Sequence, residues 1–186
     1  MTQITEHELV DSCRAGRRSA QYELYRRYNG AMFGTCLRMC ANREDAEDML
    51  QSSFADVFNK LSYFRGDSTI GAWIKRIVIN NCLNHLKRRR LHFAELHEEH
   101  TSAAVAEEPE PEFCAQDRSR QVEAVKRCVC QLSDGYRTVL SLYLFEGYDH
   151  GEIAQVLDIS EQTSKSQYSR ARRKLREMLA TEYSEP

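Results

Sequence analysis

The sequence predicts an all-α protein of two small helical domains joined by an acidic linker. Apolar residues recur at helical spacing in nearly every segment of the 186-residue chain, without the sustained alternation of a half-buried strand. Charge divides the chain. Residues 1–90 carry 15 Lys and Arg against 10 Asp and Glu, residues 91–117 carry none against 8, and residues 118–186 carry 11 against 10. The acidic strip, with its two prolines, is too polar to bury much apolar area and is predicted to be a flexible linker.

Four helices are predicted in the first domain, residues 1–90. They run from Glu6 to about Gly16, then over about 19–40, 44–61 and 70–90. Asn42 is the predicted N-cap of the third helix, which begins with acids where the helix dipole favours them. Gly30 and Gly34 are expected to weaken the second helix locally. Residues 62–69 are predicted to form a loop.

The second domain, residues 118–186, is also predicted to contain four helices. Their expected ranges are about 118–131, 134–145, 149–156 and 161–179. Ser133 and Ser160 are the predicted N-caps of the second and fourth of these helices.

Composition excludes several classes of protein. No run of about 18 apolar residues could span a bilayer, and the acidic N-terminus does not resemble a secretory signal, so the protein is expected in the cytoplasm without membrane insertion. Seven cysteines without a CxxC pair indicate buried thiols, at Cys36, Cys40 and Cys82 above all, with a redox sensor as the alternative. Three histidines between 92 and 100 lack a cysteine pair to complete a ligand set. We therefore expect no metal site and no cofactor.

The third helix carries an apolar stripe and an acidic outer side. The stripe is predicted to face the core and comprises Ala46, Met49, Leu50, Phe54, Val57, Phe58 and Leu61. The outer side is predicted to present Asp45, Asp48, Ser52 and Asp56, flanked by Glu44, Glu47 and Gln51. Such a face is either simply solvated or docks a basic partner surface. The pattern alone leaves both interpretations open.

The fourth helix places the single tryptophan on its polar side. At 100° per residue, six apolar residues cover one half of the helix, and Trp73, Arg76, Asn80, Asn84 and Lys87 crowd into a narrow arc on the other. The preceding loop adds Tyr63 and Phe64. Aromatic, amide and cationic groups together are what stacking and reading unpaired bases requires. The alternative is that Trp73 packs against the neighbouring helix or the rim of the first domain.

A helix-turn-helix pattern lies near the C-terminus. Ala154 is the small residue where its first helix would touch the second, and Asp158 occupies a turn position that needs left-handed backbone, which aspartate tolerates. Ile153, Val156, Leu157 and Ile159 would form the core between the helices. The exposed side of the second helix would present Gln162, Lys165, Ser166, Ser169 and Arg170, side chains suited to a major groove. A plain helical hairpin with a solvated basic face is the alternative.

Three blocks of sequence resemble the extracytoplasmic-function sigma factors, the two-domain members of the sigma-70 family. They are DAEDMLQSSFADVF at 45–58, YFRGDSTIGAWIKRIVINNCLNHLKRR at 63–89, and LSDGYRTVLSLYLFEGYDHGEIAQVLDISEQTSKSQYSRARRKL at 132–175. Their order is that of the family, and a variable linker separates the last two. Asn84, Lys87 and Ser164 differ from the residues common at these positions in relatives. These differences leave open which promoter sequence the protein recognises, but they do not change the expected class of activity.

The resemblance implies a non-catalytic transcription initiation factor whose partners are core RNA polymerase, promoter DNA and an anti-sigma factor. The clamp helices of the polymerase would contact Asp45, Glu47, Asp48, Gln51, Ser52 and Asp56. The melted minus-10 element, with a base flipped into a pocket near the aromatic loop, would contact Tyr63, Phe64, Trp73, Arg76, Asn80, Asn84, Lys87 and Arg88. The duplex minus-35 element would contact Gln162, Thr163, Lys165, Ser166, Ser169, Arg170 and Arg173.

Two other classes of protein account for less of the pattern. A dimeric helix-turn-helix regulator that works without polymerase would leave the polar Trp73 face unexplained. An enzyme is disfavoured because the sequence shows no paired carboxylates, nucleophile constellation or glycine-rich phosphate loop.

Overall fold

The computed structural model describes residues 5–94 and 118–184. Within those ranges the chain forms helices and connecting turns and contains no strand, which confirms the predicted all-α class. The chain divides into two compact units, Met1–Arg90 (unit 1) and Leu91–Pro186 (unit 2). None of the described helices combines the length and the apolar character needed to cross a bilayer. The linker interpretation of 91–117 falls, for residues 95–117, outside the described residues.

Unit 1 closely follows the predicted helix order. Its elements are α1 (Glu6–Arg14), α2 (Arg18–Cys40), α3 (Arg43–Lys60), a 3-10 turn (Leu61–Tyr63) and α4 (Ile70–Ala94). The Asn42 side chain accepts a hydrogen bond from the Asp45 backbone N–H at 3.1 Å, so the predicted cap of α3 is confirmed. α2 is continuous through Gly30 and Gly34.

The predicted end of α4 at residue 90 was too early. The helix continues to Ala94, four residues into the acidic strip. Neither glycine nor proline interrupts the chain between Gly71 and Pro109, and acidic composition by itself does not end a helix. The change in charge therefore marked a change in composition and not a helix boundary.

The core of unit 1 is formed by all four helices, with α2 packed against α1 and α3. Its largest fully buried side chains include Leu9, Leu24, Met39, Val57, Leu61, Ile70, Ile74, Val78 and Ile79. Cys36, Cys40 and Cys82 are buried among them, as predicted. Hydrogen bonding to Cys36 and Cys40, together with burial, raises the pKa of the Cys82 thiol, which therefore stays protonated and unreactive.

Residues 118–184 of unit 2 form four helices in the predicted order: α5 (Arg118–Gln131), α6 (Asp134–Leu144), α7 (His150–Leu157) and α8 (Glu161–Ser184). α8 packs against the other three, around a core of Val129, Leu132, Leu140 and Ala171. Ser133 stands at the N-cap position of α6, but its side chain makes no capping hydrogen bond, so that prediction was wrong in its chemistry.

The predicted end of α8 at residue 179 was also too early. Glu182 in the last turns of α8 pairs with Arg127 on α5, and its Oε2 accepts a hydrogen bond from Cys128 Sγ at 3.2 Å. These bonds join residues more than 50 positions apart. Contact with α5 therefore stabilises helix that the local pattern did not predict.

Candidate nucleic-acid interface

The polar face of α4 is exposed along most of its length. Arg76, Asn80, Asn84, Lys87 and Arg88 are all exposed, while the opposite side of the helix is buried through Ile74, Val78, Ile79, Cys82, Leu83 and Leu86. The predicted division of α4 into two faces is therefore confirmed. The exposed face combines amides, which donate and accept hydrogen bonds, with cations that attract phosphate.

Trp73 lies near the start of α4 and contacts the preceding loop. Its ring is half-buried, with its centroid 5.4 Å from that of Phe64 and the planes inclined at 51°. Thr69 caps the helix, because its hydroxyl accepts a hydrogen bond from the Ala72 N–H at 3.2 Å. Tyr63 is 78% exposed. The tryptophan thus packs on a loop residue and keeps part of its ring at the surface.

An open-sided cavity of about 230 Å³ has Phe64, one member of this aromatic pair, in its wall. Its walls come from α1, from the loop and from the start of α4: Glu6, His7, Val10, Arg14, Phe64, Arg65, Gly66, Ser68 and Ile70. Gly66 has a φ of 83°, which a residue with a side chain rarely adopts. The cavity has mixed chemistry, with a phenyl ring and aliphatic groups next to two guanidinium groups, an imidazole and the Glu6 carboxylate.

Sequence reasoning missed the contribution of α1 to this cavity. Arg14 Nε donates to the Leu61 carbonyl at 3.2 Å, and its terminal nitrogen donates to the Phe64 carbonyl. These bonds hold the loop against the end of α1. Among the residues that line the cavity, the sequence pattern identifies only Phe64, because no local signal links Arg14 to a loop about 50 positions away.

The outer face of α3 is smaller than the sequence predicted. Glu47, Asp48, Gln51 and Ser52 are exposed, as expected. Asp45 and Asp56 are half-buried and turned toward α4, which corrects their predicted place on the outer side.

Each of these two carboxylates has partners on α4. Asp45 lies 3.6 Å from His85 Nε2 and 3.4 Å from an Arg89 nitrogen. Asp56 accepts a hydrogen bond from the Asn81 amide at 3.2 Å and one from Lys60 at 3.1 Å. The bond from Asn81, and then that from Lys60, lowers the pKa of Asp56 below its usual range. Both carboxylates therefore help fix α3 relative to α4.

The helix-turn-helix of α7 and α8 is built by local caps. Asp149 and Glu152 form a capping box at the start of α7. The Ser160 hydroxyl accepts a hydrogen bond from the Thr163 N–H at 3.0 Å, so the predicted cap of α8 is confirmed. Asp158 adopts the left-handed conformation with φ 56° and ψ 50°, as the turn required. These local bonds set where both helices begin and end.

Contacts between α6, α7 and α8 then orient the motif. Ile153 is fully buried, whereas Val156, Leu157 and Ile159 are half-buried, so the predicted core between the helices is centred on one residue. His150 Nδ1 lies 2.9 Å from the hydroxyl of buried Ser164. The His150 ring also stacks on Tyr143 at 4.6 Å and meets Tyr168 at 5.6 Å. Sequence reasoning did not identify this aromatic cluster.

The residues of α8 that are predicted to contact DNA differ in exposure. Gln162, Lys165 and Arg173 are exposed, while Thr163, Ser166, Ser169 and Arg170 are half-buried. The Ser166 hydroxyl donates to the Thr163 carbonyl at 3.1 Å, and Lys165 pairs with Glu161 at 2.6 Å. Base-edge contacts from the half-buried positions therefore depend on close approach of a groove to the helix.

Family models match both units. Residues 24–92 match the model described as Sigma-70 region 2, and residues 122–175 match the one described as Sigma-70, region 4. ECF RNA polymerase sigma factor SigM of Mycobacterium tuberculosis (strain ATCC 25618 / H37Rv) is 30% identical over 178 residues, covering 94% of this chain and 85% of the relative. RNA polymerase sigma-H factor of Pseudomonas aeruginosa is 30% identical over 181 residues, covering 92% of each chain.

Solved structures share the fold. CnrH in complex with the cytosolic domain of CnrY matches with a TM-score of 0.52 at 23% identity, covering 95% of this chain and 97% of that one. The sigma factor RpoE in complex with the anti-sigma factor NepR, from Bartonella quintana, matches with a TM-score of 0.53 at 22% identity, covering 81% and 91%. The family models and the curated relatives together show that this chain belongs to the sigma-70 family, as an extracytoplasmic-function RNA polymerase sigma factor.

Proposed function

We propose that the two units divide promoter recognition, unit 1 capturing the melted minus-10 element and unit 2 binding the minus-35 element as duplex. The observation that carries this proposal is the aromatic pair Phe64–Trp73, whose ring centroids lie 5.4 Å apart. Phe64 lines an open cavity, and Trp73 lies on α4, the helix whose exposed face carries the amides. Unit 2 instead presents a capped helix-turn-helix, the motif that binds duplex DNA.

Capture of a separated strand draws on several groups of unit 1. Flipping a base out of its stack costs about a few kcal/mol, and stacking it on an aromatic side chain returns about 1–3 kcal/mol. Tyr63, Phe64 and Trp73 supply aromatic surface, and the cavity receives the flipped base. Base edges are read by Asn80 and Asn84, and the backbone is held by Arg76, Lys87 and Arg88. Polymerase contacts add the rest, so the protein traps melted DNA and catalyses nothing itself.

The exposed part of the α3 face is the proposed contact with the clamp helices of core polymerase. Glu47, Asp48, Gln51 and Ser52 point outward and offer a negative, hydrogen-bonding surface to a basic partner. Asp45 and Asp56 contribute mainly by fixing the orientation of α3, because their carboxylate oxygens bond to side chains of α4.

Unit 2 reads duplex DNA through α8. Its N-terminal half carries Gln162, Thr163, Lys165, Ser166, Ser169 and Arg170, with Arg173 one turn further on. A helix of this kind enters the major groove by its N-terminal end, where amides and hydroxyls reach base edges and cations reach phosphates.

Regulation by an anti-sigma partner is part of the proposal. Two structures of the same fold hold such relatives with a partner, the cytosolic domain of CnrY and the anti-sigma factor NepR. Because polymerase and promoter DNA are cytoplasmic, we place the action of this protein there.

Run-off transcription with purified bacterial core polymerase and a randomised promoter library tests the proposal. Selected templates should share two conserved elements, one of which becomes single-stranded in the open complex. Specific duplex binding by a dimer without polymerase, and no initiation on any template, would instead support the regulator class.

A further inference from the structure

One basic surface of unit 1 has no part in the proposed function. Three arginines lie close together on this surface, Arg17 and Arg18 at the start of α2 and Arg26 two turns further on, whereas the neighbouring Arg14 pairs with Asp11 and Arg27 with Glu23. The surface formed by Arg17, Arg18, Tyr22 and Arg26 is called here the basic corner, since it begins where α1 gives way to α2. Exposed arginines that cluster in this way attract an anionic partner.

The side chains of the basic corner form a continuous exposed strip. Arg18, Tyr22 and Arg26 follow one another at a spacing of four residues, so they lie on neighbouring turns of α2. All three are exposed, and Tyr22 is 67% exposed. In the described part of the chain, no side chain pairs with the guanidinium groups of Arg17 and Arg18, while Arg26 pairs with Glu23 at 3.1 Å.

The basic corner adjoins the cavity. Arg14 lines the cavity wall and is the last residue of α1. A turn through Gly16, with φ 74°, leads directly to Arg17. Three residues span at most about 10 Å, so the arginines of the corner begin within about that distance of the cavity wall.

We propose that the basic corner binds the sugar-phosphate backbone of the separated DNA strand where it leaves the cavity, with a base stacked on Tyr22. The inference rests on the proposed capture of a flipped base in that cavity. An exposed aromatic ring between two arginines, each one turn away, is the arrangement that binds single strands without reading their sequence. Charge complementarity makes the acidic face of α3 the side that meets a basic polymerase surface, which leaves the arginines for DNA.

The test compares two DNA lengths on the polymerase holoenzyme. In the short fork template, the single strand ends at the captured base. Two extended templates continue that strand by about six nucleotides, one on the 5′ side of the captured base and one on the 3′ side, which is within the span of a single-strand site. The wild-type holoenzyme should bind one of the two extended templates more tightly than the short template. The R17A/R18A variant should lose about three- to tenfold of that gain, and its salt dependence on that template should flatten by about 0.7 for each phosphate that it no longer binds. Binding to the short template should not change.

Three further variants make the comparison specific. Arg17→Lys with Arg18→Lys keeps the charge and should retain most of the gain, and Tyr22→Ala should lose part of it. Lys126→Ala removes an exposed cation of unit 2, paired with Glu123 at 2.7 Å, and should retain all of it. Thermal melting checks that each variant is folded as the parent is.

Equal losses by R17A/R18A on short and extended templates, or no loss on either, would overturn the proposal. So would reduced affinity for core polymerase, which would identify the partner as protein. Failure of the proposed function would give a different result. The wild-type holoenzyme would then bind fork templates no more tightly than duplex, and Trp73→Ala would not change its affinity for either.

Discussion

The two candidate DNA-binding surfaces are built in different ways. In unit 1 the surface combines three parts of the chain, because α1 supplies Arg14, the loop supplies Phe64 and α4 supplies Trp73 and the amides. In unit 2 the proposed contacts all lie on α8, and the other helices hold it in place through the aromatic cluster of Tyr143, His150 and Tyr168.

The difference reflects what each form of DNA presents. A duplex displays base edges along a groove that a single rigid helix fits, so one helix face suffices. A separated strand displays faces and edges of single bases, which requires stacking surface and an enclosing cavity. One helix has convex sides, so unit 1 needs a loop and a second helix to make a concave site.

The largest effect is expected at the aromatic pair. Trp73→Ala should lower open-complex formation by about 5- to 150-fold, because stacking a base on an aromatic ring contributes about 1–3 kcal/mol. Asn80→Ala should act in the same direction, and Trp73→Phe should retain most activity. Permanganate reactivity of promoter thymines measures the effect. Unchanged reactivity, with normal core polymerase binding, would show that the aromatic pair is structural only.

Substitutions on α8 are expected to weaken duplex binding and to leave capture of the separated strand intact. Replacing Arg170 and Arg173 with Ala should weaken minus-35 duplex binding about tenfold and flatten its salt dependence by about 0.9 for each phosphate that is no longer neutralised. Fork binding through unit 1 should persist. Affinities over a range of salt concentrations provide the measurement, and identical slopes for variant and parent would contradict the assignment.

A smaller effect separates the two kinds of carboxylate on α3. Asp48→Lys should slow association with core polymerase by about tenfold, because an exposed charge acts chiefly on the encounter rate. Asp45→Asn should leave that rate near the parent value and lower the stability of unit 1 by about 1 kcal/mol or less, because it weakens the pairing with His85 and Arg89. Association kinetics and thermal melting distinguish them. If the two variants slowed association equally, the distinction would fail.

The smallest effect concerns the turn between α7 and α8. Asp158 has a φ of 56°, a conformation that costs glycine least. Asp158→Gly should stabilise unit 2 by about 0.5–1 kcal/mol, and Asp158→Val should destabilise it. Chemical denaturation measures both variants, and a less stable glycine variant would show that the aspartate side chain contributes more than its backbone strain costs.

Most of the fold could be predicted because its signals are local. The start of α3 follows from one hydrogen bond between residues three positions apart, from the Asp45 N–H to the Asn42 side chain. The start of α8 follows from the equivalent bond between the Thr163 N–H and Ser160. The buried face of α4 follows from helical periodicity alone. Errors came at the Ser133 cap and at two helix ends, where the tertiary contact of Glu182 with α5 or the absence of any breaker after residue 90 decided the outcome.

The candidate site was less accessible to sequence reasoning. The polar face of α4 and the exposed cations of α8 follow from spacing, so their residues could be named. The cavity could not, because its wall includes His7 and Arg14, which no pattern connects to Phe64. The partners of Asp45 and Asp56 were equally hidden, and helical spacing alone places both residues on the outer side of α3.

By itself the sequence determined the class and order of the helices, the two faces of α4, the caps at Asn42 and Ser160 and the distribution of charge, since these depend on groups within a turn or two of each other. Only the tertiary structure decided which carboxylates of α3 remain exposed, where α1 meets the loop to enclose a cavity, and how Tyr143, His150 and Tyr168 come together. The reason is physical. Such contacts join side chains that lie far apart along the chain, and their formation depends on how the helices pack.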